Sequence, residues 1–236
     1  MGFIARHRPS RAATAVLACL SLSAIAIPSS RVAGQTAPES SSQLVGTYDG
    51  SQMEMGAGLR LQPNGRFDYM LAYGALDESA SGRWTSDRDT AYLTSDPVTP
   101  PKFTLLGRQP ASDGKMHLII DLPRGWTRQY LDAEVGLADG RVVGGQLSDD
   151  SDVIPLASND KPVSLRLRLG VYDLNSDSFH LDGNAAATVH VRFEPNDLGR
   201  VPFAKTPLHI VGKTLTLERY GRSIVFRHTD QKWETE

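Results

Sequence analysis

Hydrophobic and polar positions alternate with a period of two through much of this chain. Phe67, Tyr69, Leu71 and Tyr73 occupy every second position. Successive side chains on a strand point to opposite faces, so these four share one face and Arg66, Asp68, Met70 and Ala72 the other. Leu59 and Leu61 alternate in the same way just upstream, and Asn64-Gly65 separates the two runs. Asn and Gly tolerate positive φ, so the spacing predicts a tight type I′ hairpin there. Gly46-Thr47-Tyr48, Gly82-Arg83-Trp84-Thr85 and Ala91-Tyr92-Leu93-Thr94 complete an antiparallel meander over residues 44–96. Gly82 suits a strand that must bend or let a large ring pass beneath it.

The downstream pattern differs. Prolines at 97, 100 and 101 interrupt the chain, because proline lacks a ladder donor. Phe103-Thr104-Leu105-Leu106 then resumes a strand, and 109–114 forms a punctuated loop. Residues 116–122 are almost continuously apolar, and Leu131, Ala133, Val135 and Leu137 alternate. Val163, Leu165, Leu167, Leu169 and Val171 form the cleanest alternation, with Arg166 and Arg168 opposite; this predicts a buried leucine face and a wet arginine face. Val189, Val191 and Phe193 repeat the pattern. Short strands separated by Gly, Asn, Asp and Pro at this spacing indicate a sandwich. No helix is expected after the N-terminal segment.

The tail returns to the first style. Leu215-Thr216-Leu217 and Ile224-Val225-Phe226 flank Tyr220-Gly221, a two-residue hairpin. Six strands near Thr47, Leu61, Tyr69, Trp84, Leu93 and Leu105 leave two open edges, and exposed edges invite aggregation. Two tail strands bring the number to eight, which closes a small barrel. The expected organisation is all-β: a small barrel from 44–108 with 208–229, and a β-sandwich from 115–204 inserted into it. Two consecutive domains are the rival arrangement.

The order Gly-x-Tyr, Leu-x-Leu, Asn-Gly-x-Phe, Gly-x-Trp and Leu-Thr-Ser in residues 44–96 resembles the lipocalin-like and copper-resistance-lipoprotein-like meanders of bacterial envelope proteins. With Tyr73-Gly74-Ala75-Leu76-Asp77 it also looks like a group of uncharacterised exported proteobacterial β-proteins. These motifs are structural. The resemblance therefore implies a lipocalin-like fold and carries over no catalytic residue.

Charge and composition change the picture mainly at the N-terminus. Arg6, Arg8 and Arg11 precede an apolar run over 12–27, and Val32-Ala33-Gly34 offers small residues for cleavage. Residues 1–34 read as a signal peptide, too short in its apolar run for the roughly 20 residues of a membrane span. Acylation at Cys19 is the alternative, with Val16-Leu17-Ala18-Cys19 a poor lipobox. Cleavage removes Arg31 as well and moves the formal charge from −2 to −6, with 21 basic against 27 acidic residues remaining. Cys19 is the only cysteine, so a mature chain has no disulfide, thiol nucleophile or cysteine metal site. Mild acidity without a basic run excludes nucleic acid as the expected partner, and no later apolar stretch is long enough to span a membrane. Residues 35–43 form a Ser- and Pro-rich leader, and 230–236 a tail.

Candidate chemistry is sparse. Tyr48, Phe67, Tyr69, Tyr73 and Trp84 are the candidate ligand pocket if the barrel is wide, and core filling if it is narrow. Asp173, Asn175 and Asp177 match the first ligand positions of a calcium loop, but Ser178 stands where glycine is needed and Asn184 where the bidentate glutamate belongs. The alternative is an Asx-rich turn. His117, His180, His190, His209 and His228 lack metal-ligand spacing. Asp149, Asp150 and Asp152 read as a solvated loop, and Trp126 as a buried ring between solvated Arg124 and Arg128. Asp77 and Glu78 are adjacent, so a strand would point them apart. No cofactor is expected. The leading functional expectation is a non-catalytic exported cell-envelope protein, periplasmic or secreted, that binds a small apolar ligand or a partner. An envelope hydrolase built from loop Asp, Ser and His residues, and a structural or interaction scaffold, are the alternatives.

Overall fold

The structure, a computed structural model, describes residues 42–233. The expected signal peptide, Cys19, most of the leader and the last three residues lie outside the described residues. The regular structure of the described residues is nearly all β, with a 3-10 turn at Gly170–Tyr172.

In chain order the first strands are β1 (Gly46–Asp49), β2 (Met55–Leu61), β3 (Arg66–Tyr73), β4 (Leu76–Asp87) and β5 (Thr90–Ser95). Next come β6 (Lys102–Pro110), β7 (Met116–Asp121), β8 (Leu131–Leu137), β9 (Val142–Gln146), β10 (Val153–Ile154) and β11 (Pro162–Leu169). The last are β12 (Leu174–Asn175), β13 (Phe179–His180), β14 (Ala187–Glu194), β15 (Ala204–Val211), β16 (Thr214–Arg219) and β17 (Arg222–Thr229).

Eight of them close an antiparallel barrel in the order β1-β17-β16-β15-β5-β4-β3-β2. The chain leaves this barrel after β5 and re-enters it at β15. The strands between form two sheets, β10-β7-β14-β6 and β12-β11-β8-β9, with β13 paired to β11. Both sheets contribute to one core that includes Leu118, Val135, Leu165, Leu167 and Val191, which makes the unit a sandwich. β7 runs parallel to β14, whereas the barrel pairs are all antiparallel.

One strand differs from expectation. β6, with Phe103 and Leu105, pairs with β14 and belongs to the sandwich. Phe103 stacks against Phe193 at 4.8 Å. The eighth barrel place is taken by β15, whose Leu208 is fully buried. Proline at 207 argues against a strand, and the register of β15 shifts at Lys205, which adopts a φ of 54°.

The turns follow local chemistry. Tyr220 and Gly221 both adopt positive φ, 53° and 68°, as a type I′ hairpin requires. At Asn64-Gly65 the expected type I′ turn is absent. Only Gly65 has positive φ, and its N–H donates to Gln62 O at 3.1 Å. Pro63 presets the φ of a type I turn, and Gly65 then supplies the left-handed residue of a three-residue loop.

β11 shows how alternation becomes packing. Leu165, Leu167 and Leu169 are buried, Arg166 and Arg168 are exposed, and Val163 is half-buried at a register irregularity beside Pro162.

Candidate functional site

The five aromatic positions separate on folding. Tyr48, Phe67, Tyr69 and Trp84 are buried in the barrel core, whereas Tyr73 is 47% exposed. Tyr73 is the last residue of β3, so the row that begins with Phe67 runs past the barrel rim before it ends. Tyr48 Oη donates to Leu44 O at 2.7 Å, and Trp84 Nε1 to Gln62 O at 3.0 Å. Gly82 sits directly across from Phe67 in the β3–β4 pairing; a Cβ there would lie 2.8 Å from Phe67 Cε1 and 2.1 Å from Thr94 O. The ring therefore occupies the space that a side chain at 82 would need.

The chain returning from the sandwich completes the interior. β4 pairs with β5 only from Gly82 onward, leaving its first half open on that side. Residues 199–203 enter this wedge: Ser79 N donates to Gly199 O at 2.8 Å, Val201 N to Ser79 O at 2.9 Å, and Ser95 N to Phe203 O at 2.9 Å. Val201 and Phe203 thereby reach the barrel core. The Phe203 ring lies 5.2 Å from Tyr69 and 6.1 Å from Phe67, and Phe226 packs on Tyr69 at 6.4 Å. These rings pack together in the barrel interior, and Tyr48 and Tyr69 also border a cleft against the barrel wall.

A polar cluster lies among them. Glu78 is buried on the inward face of β4. Arg219 donates to it from Nε at 2.8 Å and Nη2 at 2.5 Å, and Tyr220 Oη donates to the same carboxylate. Burial and that carboxylate push the Tyr220 phenol up to about 12. Burial first, and then the charge of Glu78, also raises the pKa of Tyr69, whose Oη has no hydrogen-bond partner. A buried carboxylate with both oxygens held by a guanidinium is a satisfied ion pair. Asp77 points away from it and is exposed.

This broad, open cleft of about 1100 Å³ lies against the outside of the barrel wall. Residues of β1–β4 form its floor, mostly outward-facing but with Tyr48, Ala57, Tyr69 and Ala80 of the inward rows also at its edge, and Arg200 and the tail residues up to Trp233 complete it. The strand register builds one continuous row across this floor: Asp49 opposite Gly58, Gly58 opposite Met70, Met70 opposite Ser79, and Ser79 bridged to Arg200. Gly58 carries no side chain, and the Trp233 ring approaches it so closely that a Cβ would lie 3.1 Å from the ring. The Arg60 guanidinium lies over Trp233 at 5.4 Å and also donates to Asp68 at 2.6 Å. Met70 remains 45% exposed. The period-two pattern contains these outward residues, but no local signal places the tail and Arg200 above them.

The remaining candidates do not assemble into sites. Asp173, Asn175 and Asp177 are all exposed. Asp173 ends the 3-10 turn in a left-handed conformation, and Asn175 pairs with Arg168 as part of β12. Among the described residues no group of three or more His, Cys, Asp or Glu is placed to hold a metal. His117 has a carboxylate on each ring nitrogen, Asp113 at 3.0 Å and Asp152 at 3.2 Å, which leaves neither for a nucleophile. His190 contacts Asp121 at 2.7 Å. Trp126 is exposed and packs one edge on Phe193, while Nε and Nη2 of Arg128 are buried. The expected arrangement of buried ring and solvated Arg128 is thus reversed. The loop presents the indole outward, and Arg128 turns in to donate to Ser151 O at 3.0 Å. No helix among the described residues is long and apolar enough to cross a membrane. No protein-family model, curated protein or solved structure matches this chain.

Proposed function

We propose that this is an exported, non-catalytic cell-envelope protein whose lipocalin-like barrel binds a small ligand on its outer wall. The cleft over β1–β4 supports this reading. It is of ligand size, its floor is open at Gly56, and its exposed apolar surface comes from Met70 beside Trp233. Pockets of this volume accommodate small molecules. The packed rings inside the barrel favour the wall over the interior. Export is supported by the Arg-rich start, apolar run and small-residue site over 1–34.

Two experiments test the two halves. Intact-mass analysis of protein from a bacterial periplasmic fraction gives a chain starting near residue 35; a start at Met1, or a diacylated Cys19, contradicts the export assignment. A thermal-shift screen of fatty acids, sugars, amino acids and aromatic acids finds compounds that raise Tm with concentration, as a ligand of the native state must. The obstructing variant Ser79→Trp loses that response while keeping its own unliganded transition. A blank screen at millimolar concentrations, or an undiminished response in Ser79→Trp, contradicts the binding assignment.

A further inference from the structure

The charges around the wall cleft are unequally satisfied. Asp68 is fully engaged by Arg60, by Gln62 Nε2 at 2.8 Å and by Ser81 Oγ at 3.1 Å. Asp49, at one end of the row, accepts the Ser51 N–H at 2.9 Å and stands opposite Arg227 in the β1–β17 pair. Arg200, at the other end, makes no ion pair among the described residues. Of the carboxylates that share a smaller cavity with it, Asp96 is paired with Arg66, and Asp197 accepts the Thr99 N–H. Ser79, its neighbour in the row, carries a hydroxyl beside it. Lys232, the other cation of the cleft, comes from the tail with Trp233.

The row is thus polarised. One end offers a guanidinium and a hydroxyl. The middle offers Met70. The far end is walled by an indole. From Ser79 to Gly58 is two strand spacings, about 10 Å.

Taking the wall cleft as the binding site, we infer that its ligand is an amphipathic monoanion. Its acidic group meets Arg200 and Ser79, and an apolar body lies over Met70, filling the about 10 Å from Ser79 to the Trp233 ring that covers Gly58. A chain of about eight carbons has this length. Arg60 is already consumed by Asp68 and Trp233, and Lys232 has no hydroxyl beside it in the row, so the guanidinium backed by Ser79 draws the acid to the Arg200 end.

Octanoate, 1-octanol and octyltrimethylammonium carry closely similar alkyl chains on an anionic, a neutral and a cationic head. Each is titrated into uniformly ¹⁵N-labelled protein while the Trp233 indole and Gly58 amide signals are followed. Octanoate binds at least about tenfold tighter than octanol, the contribution expected of a hydrogen bond to a charged partner, and the cation binds weakest. In Arg200→Gln the octanoate affinity falls to that of octanol, whose own affinity is unchanged; that second value shows the variant is folded and the cleft intact. Equal binding of octanoate and octanol, or an octanoate preference that survives in Arg200→Gln, overturns the inference and leaves the cleft as a site for another class. Absence of binding by all three also overturns it. The site itself falls only if the broader thermal-shift screen is blank as well.

Discussion

Truncating Phe203 to alanine removes the ring with which the returning chain fills the barrel. The ring is buried, lies against Tyr69 and Phe67, and has the Arg219 guanidinium 5.8 Å above its face. Removing a buried phenylalanine side chain costs about 3–5 kcal/mol, through lost transfer energy and the cavity left behind. Loss of its aromatic partners alone is worth about 0.5–1.5 kcal/mol per pair, contained within that range. The neighbours cannot collapse freely, because the Ser95 and Val201 hydrogen bonds hold residues 199–203 in the wedge independently of the ring. The expected loss is therefore about 4 kcal/mol. Urea unfolding followed by near-ultraviolet circular dichroism reads it as a lower midpoint at unchanged slope. Tm falls by about 8–16 °C at the scaling for a chain of this size. Tyr73→Ala, at the exposed rim, changes stability by less than about 0.5 kcal/mol in the same assay. A Phe203→Ala loss below about 1 kcal/mol, or one matched by Tyr73→Ala, refutes the account of a filled interior.

Leu167→Ala destabilises by about 2–5 kcal/mol, because Leu167 is fully buried between the sandwich sheets, whereas Arg168→Ala is nearly neutral; equal midpoints for the two refute the facing of β11. Gly82→Ala places a Cβ against Thr94 O and Phe67 and costs about 1–3 kcal/mol or more, with Phe67 displaced; a wild-type Tm for this variant contradicts the packing of the ring under β4. Hydrogen bonds that the His117 ring donates to Asp152 and then Asp113 raise its pKa above its usual value, so the clip they form is present below the unfolded pKa and is lost as pH rises through the folded one. The Lys115 backbone N–H first, and then His117, lower the Asp113 pKa, so its contribution is present above the unfolded carboxylate pKa and disappears only as pH falls through the folded value. An NMR titration finds the His117 ring above about 6.5, and Asp152→Asn lowers it; an unshifted ring in the wild type sinks the clip.

The facing of each strand was readable wherever one side is buried. Leu165, Leu167 and Leu169 carry their burial in their spacing, because a slip of one residue would turn all three to water. Partner choice was less legible. Phe103-x-Leu105 alternates as barrel strands do, and nothing within it distinguishes the β5 edge from β14. The strand that does occupy the barrel contains Pro207 and a left-handed Lys205, two local features that argue against a strand and are tolerated through long-range pairing. Tyr73 kept its parity but not its depth, since alternation fixes a face and not where the barrel ends. Trp126 and Arg128 sit in a loop, where no period sets direction. The wall cleft was hidden for a different reason. Its floor is the outward half of the meander, ordinarily solvated, and it becomes concave only through Arg200, more than a hundred residues downstream of the strands it adjoins, and through the tail.

The central claim is that ligand contacts the outer row of β1–β4 and leaves the barrel interior untouched. A ¹H–¹⁵N and methyl chemical-shift map of the protein titrated with octanoate tests it most directly. The account predicts perturbations at Gly58, the Met70 methyl, Ser79 and the Trp233 indole, with Leu59, Leu217 and Phe226 unmoved. Perturbations concentrated on those inward residues, with the Gly58–Ser79 row silent, contradict it.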